Sequence, residues 1–263
     1  GDRAGGQVTL ASVPERRREL IGIIDWRLAE LDHLGVTIRY NTYAEAEDVR
    51  AESPDIVVVA TGGLPKTDFL SAGEDLVDTT WDVLGGHFAG RGEILLYDDN
   101  GQHPGPTCAE YLATQGHPVG IVTPERMIGQ QIGGTNYPAY LRTFYERGVA
   151  ITPDHWLRRV ERGSDGRLAA TLYNDYTKTE HVRAVDHVVV ENGTLPLDDV
   201  YESLKPDSIN EGETDLDALL AGRPQAIEHN PQGRYRLFRV GDAVASRNIH
   251  AALHDAIRLC KDF

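Results

Sequence analysis

Apolar residues recur along the first part of the chain with two different periods. Between residues 14 and 33 they follow the three- and four-residue spacing of an amphipathic helix, which Gly35 would end. Alternation at 36–40 predicts a strand, 44–54 a short polar helix, and the apolar run at 56–59 a buried strand. Helices and strands that alternate in this way indicate an α/β fold with a parallel sheet.

The chain after residue 90 repeats this alternation. After a connector at residues 64–90, we predict a strand at 93–97, a helix at 107–114 and a strand at 118–123, which is the period of a βαβ nucleotide-type unit. The next predicted element is a helix that is capped by Thr135 or Asn136 and has Pro138 in its first turn. It is followed by an extended segment at 150–152, a hairpin around 162–166, a strand ending in 188–193 and an irregular acidic region at 201–230. The chain closes with a strand, a Gly-Asp turn and a helix that is capped by Ser246 or Asn248 and ends near Cys260.

Two similar motifs divide the chain into domains. Residues 57–63 are Val-Val-Val-Ala-Thr-Gly-Gly, and residues 188–194 are Val-Val-Val-Glu-Asn-Gly-Thr. The repetition predicts two domains of similar build. Residues 1–64 and 201–263 would form the first domain, which is discontinuous, and residues 65–200 would form the second as an insert.

Charge and cysteine content narrow the class of protein. The 263 residues carry a formal net charge of −15 without an opposing Lys/Arg stripe, so we expect no nucleic-acid partner. No apolar run approaches the roughly 20 residues that span a bilayer, and the sequence does not begin with a basic-then-apolar leader. We therefore expect no association with a membrane. Cys108 and Cys260 form no C-x-x-C pair, which predicts no metal or cluster site and favours the cytoplasm.

Three glycine turns are the candidate ligand-binding elements. They are Gly5-Gly6-Gln7, Ala60-Thr61-Gly62-Gly63 and Gly241-Asp242. Glycine at the end of a strand lets backbone N–H groups approach a ligand, and a helix that starts just beyond adds partial positive charge for a phosphate. We predict that these nine residues bind a cofactor. A single turn of this kind is a weak signal, whereas the ordered set is a stronger one.

These turns and the motifs around them resemble one flavoprotein family. "GGQ", "PDIVVVATGG" and the terminal "RVGDAVASRNIHAALHDAIR" are similar to the C-terminal half of the trimethylamine dehydrogenase and 2,4-dienoyl-CoA reductase group, over essentially the whole chain. "YDDNGQHPGPTCAEYLATQGH" and "GGTNYPAYL" look closest to its N-methylproline demethylases of the stachydrine pathway. The resemblance implies two Rossmann-like domains of the glutathione reductase type.

The resemblance also implies parts that the sequence does not contain. Members carry an N-terminal barrel that binds FMN and a 4Fe-4S cluster and oxidises the amine, so no catalytic residue is assigned here. The first domain would bind FAD or ADP, but its G-x-G-x-x-G unit would precede Gly1, which leaves the site incomplete. Expected partners are the protein's own barrel and an electron-transfer flavoprotein. Whether the protein forms a homo-oligomer is left open by the sequence.

The turn at residues 98–105 argues against NAD(P) in the second domain. Asp98 and Asp99 stand at the end of the predicted strand, and Pro104 replaces a small residue. The two carboxylates would repel a pyrophosphate, and proline would hinder its close approach. We interpret Asp98-Asp99 as a turn cap rather than a Mg²⁺ site, and Cys108 as a buried apolar residue rather than a reactive thiol.

Three functions are compatible with the sequence. The first is a part of an oxidoreductase that demethylates or dehydrogenates an N-methyl amine, with no turnover by this chain alone. The second is a non-catalytic module that binds an adenine nucleotide or docks to other domains. The third is the NAD(P)H-dependent arm of an enoate or dienoyl-CoA reductase.

His250 and His254, at i and i+4 on the last helix, are interpreted as packing or surface residues, and no metal ligand is assigned.

Overall fold

A computed structural model of the chain describes residues 1–261. Residues 262 and 263, which end the terminal motif and the predicted first domain, lie outside the described residues. The chain divides into two compact units. Unit 1 consists of Gly1–Ala4, Leu31–Leu64 and the chain from Thr194 onward, and unit 2 consists of Gly5–Glu30 and Pro65–Gly193.

The helices are short. The α-helices are α1 (Gln7–Ala11), α2 (Gly22–His33), α3 (Ala46–Ala51), α4 (Thr80–Leu84), α5 (Pro104–Thr114), α6 (Tyr137–Arg147), α7 (Asp199–Leu204), α8 (Leu216–Ala221) and α9 (Ile249–Cys260). Stretches of 3₁₀ helix cover Glu15–Ile21, Glu74–Leu76, Lys205–Asp207 and Gly241–Ala243. In the part of the chain that the structure describes, no helix has the length and apolarity that crossing a membrane requires.

The strands form parallel and antiparallel sheets. They are β1 (Ile56–Val59), β2 (Gly63–Pro65), β3 (Asp78–Thr79), β4 (Ile94–Asp98), β5 (Val119–Val122), β6 (Ala150–Thr152), β7 (His155–Arg162), β8 (Leu168–Asn174), β9 (Thr179–Val185), β10 (His187–Glu191), β11 (Thr194–Pro196) and β12 (Arg236–Arg239). The predicted mixed α/β fold with a parallel sheet is confirmed.

Unit 2 is built on a five-stranded parallel sheet in the order β3-β10-β4-β5-β6. Every residue of β4 is buried, as expected for a parallel strand that is covered on both faces. Leu96 and Ile121 pack on one face against α5 and α6. Leu95 and Val122 pack on the other face against the antiparallel sheet β7-β8-β9. The third strand of that sheet, β9, was not predicted.

The sheet of unit 1 pairs β1 with β12 in parallel. Its core includes Val59, Tyr201 and Leu237, with α3 and α7 packed beside them. The strand predicted at 36–40 is wrong: this segment is irregular, although its apolar residues alternate. A strand needs a neighbour for its N–H and C=O groups, and no strand within residues 1–261 pairs with this segment.

Two further differences concern helices. The region 201–230, predicted to be irregular, contains α8, whose Asp215 N-cap accepts the Ala218 N–H at 2.8 Å. The helix predicted at 14–33 begins as a 3₁₀ helix and becomes α2. Gly35 follows α2 with φ +70°, in agreement with its predicted role as the stop.

Residues 5–30 belong to unit 2, whereas the predicted domain boundary put them in the first domain. Arg16 donates to the buried Glu110 of α5 from Nε at 2.9 Å and from Nη2 at 2.8 Å. Arg17 Nη1 donates to the Tyr140 hydroxyl at 2.6 Å. Helical periodicity identified an amphipathic segment but could not indicate which sheet it packs against.

Candidate functional site

The two strands of the unit 1 sheet end at the same edge. Val59 lies opposite Arg239 in the parallel register, and the Val240 N–H donates to the Val59 carbonyl at 3.0 Å. The chain leaves this edge through residues 60–63 after β1 and through residues 241–242 after β12. The structure therefore brings together two of the three predicted turns.

The two glycines of the first turn have different roles. Gly62 has φ +75°, and a Cβ added to it would meet no atom of the described residues within 4 Å. At Gly63, by contrast, an added Cβ would lie 2.5 Å from the Leu195 carbonyl oxygen and 2.8 Å from Thr194 Cβ. The bare backbone of Gly63 is thus required by its contact with β11, and only Gly62 faces open space.

Thr61 and its neighbours are held by the segment that follows β11. The Thr61 hydroxyl donates to the Leu197 carbonyl, and the Leu197 N–H donates back to the Gly62 carbonyl at 3.0 Å. Ala60 and Thr61 are exposed. The turn is therefore fixed by internal hydrogen bonds and presents Ala60 and Gly62 at the surface of unit 1.

The second turn already has an acceptor for its leading amide. Gly241, with φ +65°, donates its N–H to Asp255 Oδ2 of α9 at 3.2 Å, and Asp255 forms an ion pair with Arg247. Asp242 accepts the Arg247 N–H at 3.1 Å and the Thr194 hydroxyl at 3.3 Å. The chain's own carboxylates thus satisfy the donors around this turn.

Helix α9 starts just beyond the second turn. Asn248 Oδ1 accepts the Ala251 N–H at 2.9 Å, so Asn248 is the N-cap. Ser246, the other predicted cap, instead accepts the Thr194 N–H at 3.0 Å. Within residues 1–261, no group of three or more His, Cys, Asp and Glu is arranged to hold a metal ion.

The third predicted turn, Gly5-Gly6-Gln7, lies in unit 2. Gly5 has φ +127°, and an added Cβ would come within 2.8 Å of Thr9 Cγ2 and 3.0 Å of Ile24 Cγ1. Gly6, with φ +48°, precedes α1, which Gln7 begins. Packing within unit 2 is therefore sufficient to explain the glycine at position 5.

Unit 2 has its own candidate edge, where the strand order reverses. From β4 the chain continues to β5 and β6 on one side and later returns to β10 on the other. Ligands of open parallel sheets bind at such a switch point, beyond the carboxyl ends of the strands. Here those ends carry Asp98 and Glu191, opposite each other in register and both buried. Sequence reasoning missed Glu191, although a charge directly after an apolar strand was the available signal.

The two carboxyl groups differ in their hydrogen bonds. Glu191 accepts the Asn100 side-chain N–H at 2.8 Å, the Gly193 N–H at 3.1 Å and the Thr80 hydroxyl. Asp98 Oδ1 accepts the Asn100 backbone N–H at 3.2 Å, and Oδ2 has no partner. Glu191 thus has three donors, two of them on side chains, whereas the donors that act on Asp98 are the backbone N–H groups of Asn100 and Gly101.

This difference is reflected in the acidity of the pair. Burial, followed by the charge of Glu191, raises the pKa of Asp98 to about 8. Burial also raises the pKa of Glu191, against the hydrogen bonds from Thr80 and Asn100. Burial therefore favours the protonated form of both groups, and the neighbouring charge of Glu191 adds to this effect at Asp98.

The glycine nearest to this pair accommodates the chain's own carboxyl group. A Cβ added at Gly105, in the first turn of α5, would lie 2.5 Å from Asp98 Cγ. In a dinucleotide-binding turn, glycine lets the backbone approach a pyrophosphate. In unit 2 the same absence of a side chain makes room for Asp98.

The cysteines are not activated. Cys108 is fully buried on α5, and burial followed by the charge of Glu191 raises the pKa of its thiol. Burial also raises the pKa of Cys260. The interpretation of Cys108 as a buried apolar residue agrees with its position in the core beside Leu112 and Ile121.

Solved oxidoreductases share this fold. A 2-naphthoyl-CoA reductase complex superposes with a TM-score of 0.78 and 21% identity, over 98% of this chain and 34% of that chain. The thioredoxin reductase of T. acidophilum superposes with a TM-score of 0.51 and 16% identity, over 77% of this chain and 62% of that chain. The fold thus has a neighbour of the thioredoxin reductase kind.

Several curated relatives are named as oxidoreductases, while no family model matches the chain. The chain is 46% identical, over 98% of its length, to a probable N-methylproline demethylase of Rhizobium meliloti (strain 1021). It is 42% identical, over its whole length, to an N,N-dimethylglycine/sarcosine dehydrogenase of Chromohalobacter salexigens. A multifunctional alkene reductase/demethylase of Caballeronia cordobensis is 38% identical over 98% of the chain. These similarities confirm the resemblance that the sequence motifs indicated.

The chain is shorter than these relatives. It covers 38% of the first, 39% of the second and 38% of the third. It therefore corresponds to a part of such oxidoreductases.

Proposed function

We propose that the chain is the C-terminal, nucleotide-binding-type region of an FMN- and iron–sulfur-dependent oxidoreductase that demethylates or dehydrogenates an N-methyl amine of the N-methylproline kind. The observation that carries the proposal is the 46% identity to a probable N-methylproline demethylase over 98% of the chain. The amine would be oxidised in the barrel that the resemblance implies. The chain alone should therefore show no turnover, and no catalytic residue is assigned to it.

Within this proposal, units 1 and 2 are two Rossmann-like domains. The FAD or ADP of the intact protein would lie beyond the carboxyl ends of β1 and β12. Two features support this position: parallel strands that end in glycine turns, and the open space beside Gly62. The residues of unit 1 proposed to border the nucleotide are Ala60, Thr61, Gly62, Gly63, Gly241 and Asp242. Gly5, Gly6 and Gln7 lie in unit 2, and their role in cofactor binding stays a prediction from the sequence.

Unit 2, in contrast, is proposed not to take up NAD(P)H. A pyrophosphate needs free backbone N–H groups and an absence of negative charge. The Asn100 N–H is bonded to Asp98, the space beside Gly105 is filled by the same carboxyl group, and Glu191 adds a negative charge. These residues do not fit a dinucleotide, so electrons would leave the intact protein through an acceptor flavoprotein.

An anaerobic titration of the intact protein tests the reaction. We expect an N-methyl amino acid to bleach the flavin absorbance and NADPH to leave it unchanged. The competing function, an NAD(P)H-dependent enoate reductase arm, is favoured by the similarity to the alkene reductase/demethylase. This competing function predicts that NADPH bleaches the flavin absorbance and that the N-methyl amino acid does not. Bleaching by NADPH without amine would exclude our proposal.

A melting experiment on the 263-residue chain tests the adenine-nucleotide module. A ligand that binds only the folded state raises the melting temperature. We expect no rise with ADP or FAD, because the phosphate-binding turn that the resemblance implies is not in the sequence. A rise that disappears in Gly62→Val, where the open space is lost, would support the module instead.

A further inference from the structure

The carboxyl pair at the switch point of unit 2 has no part in the proposed reaction. Asp98 and Glu191 end adjacent parallel strands, at the place where an open sheet of this type binds its ligand. Asp98 is completely buried, and Glu191 is 6% exposed. A charged carboxylate is costly in such a position unless donors or cations compensate it.

The donors around the pair show which member carries the charge. Three donors, from Thr80, Asn100 and Gly193, reach the two oxygens of Glu191. This arrangement suits an ionised carboxylate, which only accepts hydrogen bonds. Asp98 Oδ2 is buried without any partner, an arrangement in which a carboxylate would have no compensation. Two adjacent buried carboxylates disfavour ionisation of both groups, and the three donors favour the charge on Glu191.

The side chains with the largest effects on the acidity of Asp98 are carboxyl groups. The groups that act on its acidity are Glu191 on β10 and Asp99 next to it, both acidic, and the backbone N–H groups of Asn100 and Gly101. Cys108 on α5, near Glu191, is a buried thiol. At the adjacent Asp99, burial and the charge of Glu125 raise the pKa of the carboxyl group, whereas its contact with Tyr97 and the charge of Lys66 lower it.

We propose that Asp98 is a proton-dependent latch of unit 2: as a neutral acid it fills the crevice between the carboxyl ends of β4 and β10 and fixes the turn at residues 98–105, and loss of its proton releases this turn. Two contacts make the latch. Asp98 Oδ1 accepts a hydrogen bond from the Asn100 N–H, and the carboxyl group packs against the Cα of Gly105 at the start of α5. Ionisation would put two carboxylates side by side in a dry crevice, and the turn would have to open to admit water.

The test compares the chain with Asp98→Asn, which keeps the shape and a neutral donor. A group with a raised folded-state pKa stabilises at low pH, and this stability is lost as the pH rises towards about 8. Urea unfolding of unit 2 is followed by the fluorescence of Trp26, Trp81 and Trp156, which all lie in this unit. Relative to Asp98→Asn, we expect the folding constant of the wild type to fall about tenfold per pH unit between pH 5 and 8.

Two controls complete the measurement. Asp68→Asn, which changes an exposed aspartate of unit 2, should leave the wild-type profile unchanged. Glu191→Gln removes the neighbouring charge, and the fall should then end at a lower pH than in the wild type. Parallel profiles for the wild type and Asp98→Asn would overturn the proposal.

A second measurement needs no variant. In the wild-type chain labelled with ¹³C at the aspartate carboxyl carbons, one signal should still titrate as a protonated acid at pH 7, and exchange of the Asn100 and Gly101 amides should accelerate beyond its intrinsic pH dependence as this signal ionises. The latch is excluded if every aspartate ionises below pH 6, or if the signal titrates without any change at the turn.

Discussion

Replacing Arg16 by methionine should destabilise unit 2 by about 3 kcal/mol. Arg16 donates to Glu110 through two nitrogens, and Glu110 is only 4% exposed. The substitution leaves this carboxylate buried with only the Thr143 hydroxyl, at 3.1 Å, as a remaining donor. It also removes the guanidinium that lies 4.2 Å from the centre of the Tyr140 ring. Urea unfolding followed by tryptophan fluorescence measures the loss.

Arg18 provides the matched control for this prediction. It lies two residues further along the same 3₁₀ helix and pairs with Glu15, and both side chains are mostly exposed. Arg18→Met should therefore cost less than about 0.5 kcal/mol, because an exposed ion pair contributes little. Equal losses for the two variants would show that the segment is not anchored to unit 2 by Arg16.

A double variant separates the ion pair from general packing. In Arg16→Met with Glu110→Met, no buried charge is left without a partner, and two apolar side chains can occupy the space of the pair. A buried ion pair that is replaced in this way often costs little. We expect the double variant to be more stable than Arg16→Met alone. Additive losses would mean that Arg16 acts through its own packing rather than through Glu110.

Local patterns predicted the elements of the parallel sheets well. The apolar runs that became β4, β5 and β10 are short and continuous, because strands covered on both faces need apolar residues at nearly every position. The run of β1 was also predicted as a buried strand, but only its Val59 is buried. The prediction of a strand at 36–40 was wrong because alternation is a property of one segment, whereas a strand also needs a second strand to pair with. The contact of residues 5–30 with α5 has no local signal, because the partner of Arg16 is Glu110, far away in the sequence.

The candidate sites could be predicted only in part. Glycine after a strand marks a place where bare backbone is needed, but the sequence does not tell what approaches it. At Gly62 no atom of residues 1–261 does, at Gly63 it is β11, and at Gly105 it is a carboxyl group of the chain itself. The burial of Glu191 beside Asp98 depends on the neighbouring order of β4 and β10, which follows from topology rather than from a local motif.

The role of Gly63 leads to the second prediction of large effect. Gly63→Ala should destabilise unit 1 by about 2–3 kcal/mol without any ligand present, because the new methyl group would clash with a backbone oxygen that cannot rotate away. The added Cβ would lie 2.5 Å from the Leu195 carbonyl oxygen. Since the three tryptophans lie in unit 2, hydrogen exchange at the amides of Ile56–Val59 is the appropriate measurement. Exchange should accelerate roughly 100-fold at these amides if they open with the unit.

Gly62→Ala is the control, and the comparison decides between packing and ligand binding at this turn. Gly62 has φ +75° with open space around its Cα, so alanine there should cost only about 1 kcal/mol of backbone strain. If Gly63→Ala costs no more than Gly62→Ala, then contact with β11 is not what requires glycine at position 63. The requirement would then have to come from a molecule outside the chain, such as the nucleotide that is proposed to lie beside this turn.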